Sequence, residues 1–138
     1  MPHRIDGCEV CRILDGLTVG TLPGGWVLNG NIDPAIRRPA LVLSTVDHYG
    51  HLAEIGGTEA EWLGRHLRRI DGIARKVLGA QRLHVQLLNE AGHVHFHLVP
   101  RYPDDDRSVF ALALLRVDAP AGAPDSASAA RSVLAELT

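Results

Sequence analysis

The sequence predicts an α+β domain, and three observations predict it. Runs rich in β-branched and apolar residues stand at 26–28, 40–46, 83–88 and 93–101, each of strand length. One long stretch, 59–78, carries Leu63, Leu67, Ile70, Ala74 and Val77 at helical spacing. The last two strand-like runs are separated by Asn89-Glu90-Ala91-Gly92 alone, a turn that makes them an antiparallel hairpin.

Each element has its own signals. Residues 6–16 read as a short N-terminal turn and helix, with Ile13, Leu14 and Leu17 apolar. Pro23-Gly24-Gly25 is a turn into the strand Trp26-Val27-Leu28, and residues 29–34 form a loop. Arg37-Arg38-Pro39 leads into the buried strand 40–46, and Asp47-His48-Tyr49-Gly50-His51 follows its end. Thr58 and Glu61 make a capping box for the main helix, and Gly79 ends it. Arg65, Arg68, Arg69 and Arg75 read as its solvated face. Residues 103–107 break the pattern, and 110–117 fit either a strand or a helix. The main domain therefore spans 1–117. Residues 118–138 form a tail: the Ala-, Pro-, Gly-, Ser- and Asp-rich stretch 118–128 reads as a flexible linker, and 126–137 as a short C-terminal helix.

Composition narrows the function. A chain of 138 residues makes one domain that buries about two-thirds of its unfolded surface. With 46% apolar and 22% charged residues it has the make-up of a soluble globule. A net charge of −2 gives no global basic field for nucleic acid. No apolar run is long enough for a membrane span, and Met1–Asp6 lacks the apolar core of a signal peptide. The expectation is a cytoplasmic protein with a small-molecule ligand and neither nucleic-acid nor membrane partners.

The chemistry concentrates in His93-Val94-His95-Phe96-His97-Leu98-Val99-Pro100-Arg101. A strand repeats every two residues, so three imidazoles project from one face while Val94, Phe96 and Leu98 fill the other. Burying three imidazoles without partners is costly. The row therefore points to a metal, a phosphate, or catalysis in which one ring attacks and another moves a proton. A three-histidine metal site is the rival reading. Adjacent same-face positions lie about 6.6–7 Å apart, so two histidines chelate one ion more easily than three on a straight strand.

Cys8 and Cys11 form Cys-Glu-Val-Cys. In a reducing compartment a disulfide is disfavoured, and a thioredoxin-like redox pair would need a βαβ context that the pattern lacks. A zinc half-site is the better reading, two thiolates holding two corners of a tetrahedron with histidines available for the others.

From about Cys8 to Tyr102 the chain resembles the histidine triad family of nucleotide hydrolases and transferases, the resemblance resting on the alternating histidines followed by Pro100-Arg101. It implies a multi-stranded antiparallel sheet with one long helix, a homodimer, and attack on a nucleotide α-phosphate by His95 through a covalent intermediate, with His97 orienting the attacking ring. Its zinc-containing branch implies a structural zinc on Cys8, Cys11, His48 and His93, with His51 the alternative to His48. Asn31 falls where the family carries a ribose-binding acidic residue, an Asn-rich turn being the other reading. Backbone amides around Asn89–Gly92 would face the phosphoryl oxygens, and Glu90 could assist the leaving group. The chain departs from the family in two places: the turn before His93 is short and lacks the usual glutamine, and Ser44-Thr45 replaces a Pro-Lys pair.

Overall fold

A computed structural model describes residues 3–16 and 20–137. Five strands form one antiparallel sheet in the order β1-β2-β3-β5-β4: β1 (Gly20–Leu22), β2 (Trp26–Gly30), β3 (Leu41–Thr45), β4 (Arg82–Leu87) and β5 (His95–Arg101). Among the described residues three α-helices accompany it: α1 (Glu9–Gly16), α2 (Gly57–Leu78) and α3 (Ser126–Leu137). The α+β architecture read from the sequence, with one long helix and short terminal ones, is the architecture found.

Alternation within the strands sorts the sheet into two faces. Trp26, Leu28, Leu41, Leu43, Phe96 and Leu98 pack in the main core with Ile70 and Ala74 of α2 and Ala129, Ala130 and Val133 of α3. On the opposite face, Val27 packs with Cys8, Val10, Cys11 and Leu14 of the N-terminal segment. Farther along that face, Ala40 and Val99 are covered by Leu114 and Leu115 from a 3-10 turn at Ala111–Arg116. His95 and His97 project from this second face, beside Val10 and Leu14 of the N-terminal cover.

Several elements differ from expectation. The strand read over 93–101 begins at His95: Gly92 turns the chain at φ 69°, and Val94 N–H donates to the Tyr49 carbonyl instead of joining β4. The capping box is not formed. The main helix starts at Gly57 with Gly56 as its N-cap, no side chain caps it, and Thr58 lies within its first turn. Gly79 ends the helix as expected, its left-handed φ of 67° letting its N–H reach the Arg75 carbonyl. The three-residue β1 carries no sequence signal; it exists because the turn at Gly24 and Gly25, both at positive φ, folds it back on β2. The segment 110–117 resolves into the 3-10 turn. The C-terminal helix read over 126–137 is found as α3, so residues 126–128, which the linker reading also covered, are its first turn; there Ser126 Oγ accepts from Ala40 N–H and donates to the Arg38 carbonyl. Leu17, read as apolar in the first helix, lies outside the described residues.

The segment after β5 is held as far as Asp118 by an arginine clasp. The Arg38 side chain is fully buried and pairs bidentately with Asp105 at 2.8 and 2.9 Å. It also donates to the carbonyls of Pro100, Val117 and Asp118.

Candidate active site and metal centre

His93 leaves the row of three and joins a separate cluster. Its Nδ1 lies 3.5 Å from Cys8 Sγ and 3.4 Å from Cys11 Sγ, and Cys11 Sγ lies 3.4 Å from His48 Nδ1. The four ligand atoms all fall within 4.8 Å of one another. A zinc tetrahedron with ordinary Zn–S and Zn–N bonds has S···N edges of about 3.5 Å, so the donor set and its spacing fit zinc. Orientation fits as well. His93 Nε2 donates to the Thr45 carbonyl at 2.9 Å, which leaves the Nδ1 lone pair facing the thiols. Burial pushes the His93 pKa down to about 4, so the ring is neutral and able to ligate at pH 7. Of the two candidates after β3, His48 is in the cluster. His51 is exposed and accepts from the Asn89 side chain at 3.0 Å.

His95 and His97 remain together, ring centroids 5.0 Å apart and edge to face. Both line a slot of about 200 Å³ walled by Val10, Ile13 and Leu14 of the first helix and by Val42 of β3. His95 is buried, and its Nδ1 donates to the His93 carbonyl at 2.7 Å. A proton fixed on Nδ1 leaves Nε2 as the lone-pair nitrogen, with no protein partner among the described residues. The group that holds the His95 ring is thus the main chain of His93. Burial first, then the neighbouring His95, push the His97 pKa down, which favours the neutral ring.

Strand register explains which neighbours the rings meet. His95 pairs with Ser44 and Ser44 with Val27; His97 pairs with Val42 on one side and Gln86 on the other, and Val42 pairs with Asn29. One lateral row of the sheet is therefore Asn29, Val42, His97, Gln86. Three side-chain atoms in that row, Asn29 Oδ1, His97 Nδ1 and Gln86 Oε1, are buried without a hydrogen-bond partner. Orphaned polar atoms gathered beside a slot mark a place where a polar ligand satisfies the protein.

The expected site residues are distributed unevenly around the slot. Asn31 lines it, but its Oδ1 already accepts from Asp33 N–H at 2.9 Å, closing a local turn. Of the 89–92 turn, Ala91 reaches the slot, whereas Asn89, Glu90 and Gly92 do not line it. Asn29 and Ser44 line the slot and were missed from sequence. Their signal is parity along β2 and β3, readable only once the register to the histidine strand is known.

Similar solved structures share this arrangement of elements. A zinc-bound histidine triad family protein from Mycobacterium smegmatis is 21% identical, with 95% of each chain covered and a TM-score of 0.65. A histidine triad protein from Bradyrhizobium japonicum is 15% identical over 99% of this chain and 98% of its own, with a TM-score of 0.68. The chain has the histidine triad fold. A third structure with this fold, 19% identical over 75% of this chain and 67% of its own at a TM-score of 0.55, is a diadenosine triphosphate hydrolase from Plasmodium falciparum in complex with cyclomarin A. No protein-family model matches the sequence, and no curated protein sequence does. Within the histidine triad fold, the slot and the Cys-His cluster occupy one face of the sheet, and their histidines, His95 and His93, have only Val94 between them in sequence.

Proposed function

We propose that the chain is a histidine triad nucleotide hydrolase or transferase that works through His95. The substrate class is a nucleoside polyphosphate or an adenylated conjugate, attacked at the α-phosphate. The observation that carries this reading is the His95 ring, with Nδ1–H anchored on a backbone carbonyl and Nε2 free at an apolar slot.

The chemistry follows from that ring. The Nε2 lone pair forms a bond to phosphorus as the bond from phosphorus to the leaving group breaks, and the leaving group departs with that electron pair. The ring becomes cationic in the adduct, and the His93 carbonyl, accepting from Nδ1–H, stabilises that charge. Water then bonds to phosphorus, the N–P bond breaks, and the water proton passes to solvent. A nucleoside monophosphate is released and neutral His95 is restored. The Asn29 carbonyl, unpartnered in the protein, is the available acceptor for a ligand hydroxyl. Zinc, when bound by Cys8, Cys11, His48 and His93, supplies structure, since four protein ligands complete the tetrahedron. A homodimer and a cytoplasmic setting accompany this reading.

One observation favours a second reading, a nucleotide-binding module of weak activity. Asn89 and Glu90 stand outside the slot, and Glu9 on its rim is tied to Arg12. Purified protein and the His95→Ala variant, incubated with diadenosine tetraphosphate, AMP-lysine and AMP-phosphoramidate, separate the two. Release of AMP by the wild type and not by the variant supports the enzyme. AMP binding without release from any compound supports the module.

A further inference from the structure

The far end of the triad face carries a second concave site that the proposed chemistry does not use. Arg82 of β4 pairs in register with Arg101 of β5, six residues beyond His95 and therefore about 20 Å along the strand. These residues, with His84, Arg107 and Phe110, line a cleft of about 280 Å³.

Its charges are unbalanced. Arg101 spends its donors on neutral acceptors: His84 Nε2 at 3.0 Å and the carbonyls of Asp106 and Val109. Arg82 and Arg107 are exposed and have no hydrogen-bond or ion-pair partner among the described residues. The one carboxylate lining the cleft, Asp105, is committed to the buried Arg38. Because Arg101 donates to His84 Nε2, the His84 proton sits on Nδ1 as a further donor. Burial first, then Arg101 and Arg82 beside it, push the His84 pKa down. Like charges collected in a concavity raise the local potential for an anion, and guanidinium forks match phosphate oxygens. Phe110, 75% exposed, is an aromatic side chain left uncovered at this polar cleft. An exposed ring beside uncompensated guanidinium groups suits a ligand that joins a phosphate to an aromatic heterocycle.

We propose that the cleft between Arg82, Arg101, Arg107 and Phe110 is a second phosphate site, separate from the His95 slot, that takes a nucleotide with its phosphate on the arginines and its base on Phe110. It needs neither catalysis by His95 nor zinc.

The test is a titration of the full-length protein with AMP and with inorganic phosphate, followed by backbone amide NMR shifts. It is run in wild type, His95→Ala, R82Q/R107Q and Phe110→Ala. The expected result is a saturable shift of amides in 81–84 and 101–110 with both probes, retained in His95→Ala. Affinity for both should fall at least tenfold in R82Q/R107Q and with added salt. Phe110→Ala should weaken AMP and leave phosphate unchanged. Shifts confined to the residues of the His95 slot, or equal affinity in wild type and R82Q/R107Q, would overturn the site. Loss of phosphate and AMP binding to the same degree in Phe110→Ala would overturn the stacking role. Because every arm is read by location and not by turnover, failure here is distinguishable from failure of the His95 chemistry.

Discussion

His93 divides its own functional groups between two sites. Its ring turns to Cys8 and Cys11, while its carbonyl holds the ring of His95. The metal prediction at this scale concerns the choice between His48 and His51. His48→Ala should lower zinc content and affinity sharply, whereas His51→Ala, which removes an exposed partner of Asn89, should leave zinc stoichiometry unchanged. Atomic absorption on the two purified variants checks this. A second prediction rests on Asn29. Its buried carbonyl has no protein partner among the described residues and is placed to accept from a ligand, so Asn29→Ala should weaken AMP binding by up to about tenfold, as for loss of one hydrogen bond, measured by calorimetry. His93 also sets a pH dependence. Its folded pKa, about 4, lies below the unfolded value near 6.5, so the stability from its neutral ring is full above pH 6.5 and is lost as pH falls through 4. Urea midpoints of metal-free protein should drop across that window, and a His93→Asn variant should drop less.

At the scale of elements, the clasp on Arg38 decides whether the chain after β5 stays in place. Breaking one side of a buried pair leaves the other charge stranded, which costs about 3–5 kcal/mol. Arg38→Ala should destabilise the protein by that amount, and Asp105→Asn, which keeps the shape and one acceptor, by less; chemical denaturation measures both. Elements also show why legibility from sequence was uneven. The helical stripe of α2 survives as Ile70 and Ala74 in the core because helix period is a local property. The alternation of His95 and His97 was readable for the same reason, since the two-residue period fixes the face whatever the neighbours, whereas His93 was not, because β5 begins only after it. β1 was not readable, since three residues gain strand geometry only by pairing with β2. The helix start was misjudged because Gly56 and Gly57 carry the turn through backbone alone, with no side chain to announce it. Asn29 was passed over for Asn31 because the choice depends on which of them faces across β3 to His97, a question of register between distant strands. The basic cleft was hidden likewise, its residues coming from both strands of a hairpin and the segment after it.

For the whole molecule, a zinc on the Cys-His cluster would be a clamp. The cluster joins the N-terminal segment, the loop after β3 and the approach to β5, which no hydrophobic cluster alone connects. Zinc that binds the folded chain selectively stabilises it by about 4 kcal/mol at roughly 1,000 times its Kd. Chelation should therefore lower the thermal midpoint, and zinc alone should restore it, whereas Cys8→Ser should be insensitive to both. Scanning calorimetry with and without chelator reads this directly. The His95 slot shares a wall with the Cys-His cluster through Val10 and Leu14, so loss of metal should also weaken nucleotide binding.

The central claim is that His95 carries the nucleotide covalently, and the most direct measurement is to trap that species. Protein is mixed with excess adenylated substrate, quenched at alkaline pH where a phosphoramidate survives, and analysed by intact mass and peptide mapping. The account predicts an added nucleoside monophosphate on the peptide bearing His95, absent from His95→Ala. Turnover with no adduct at His95, or turnover undiminished in His95→Ala, would contradict it.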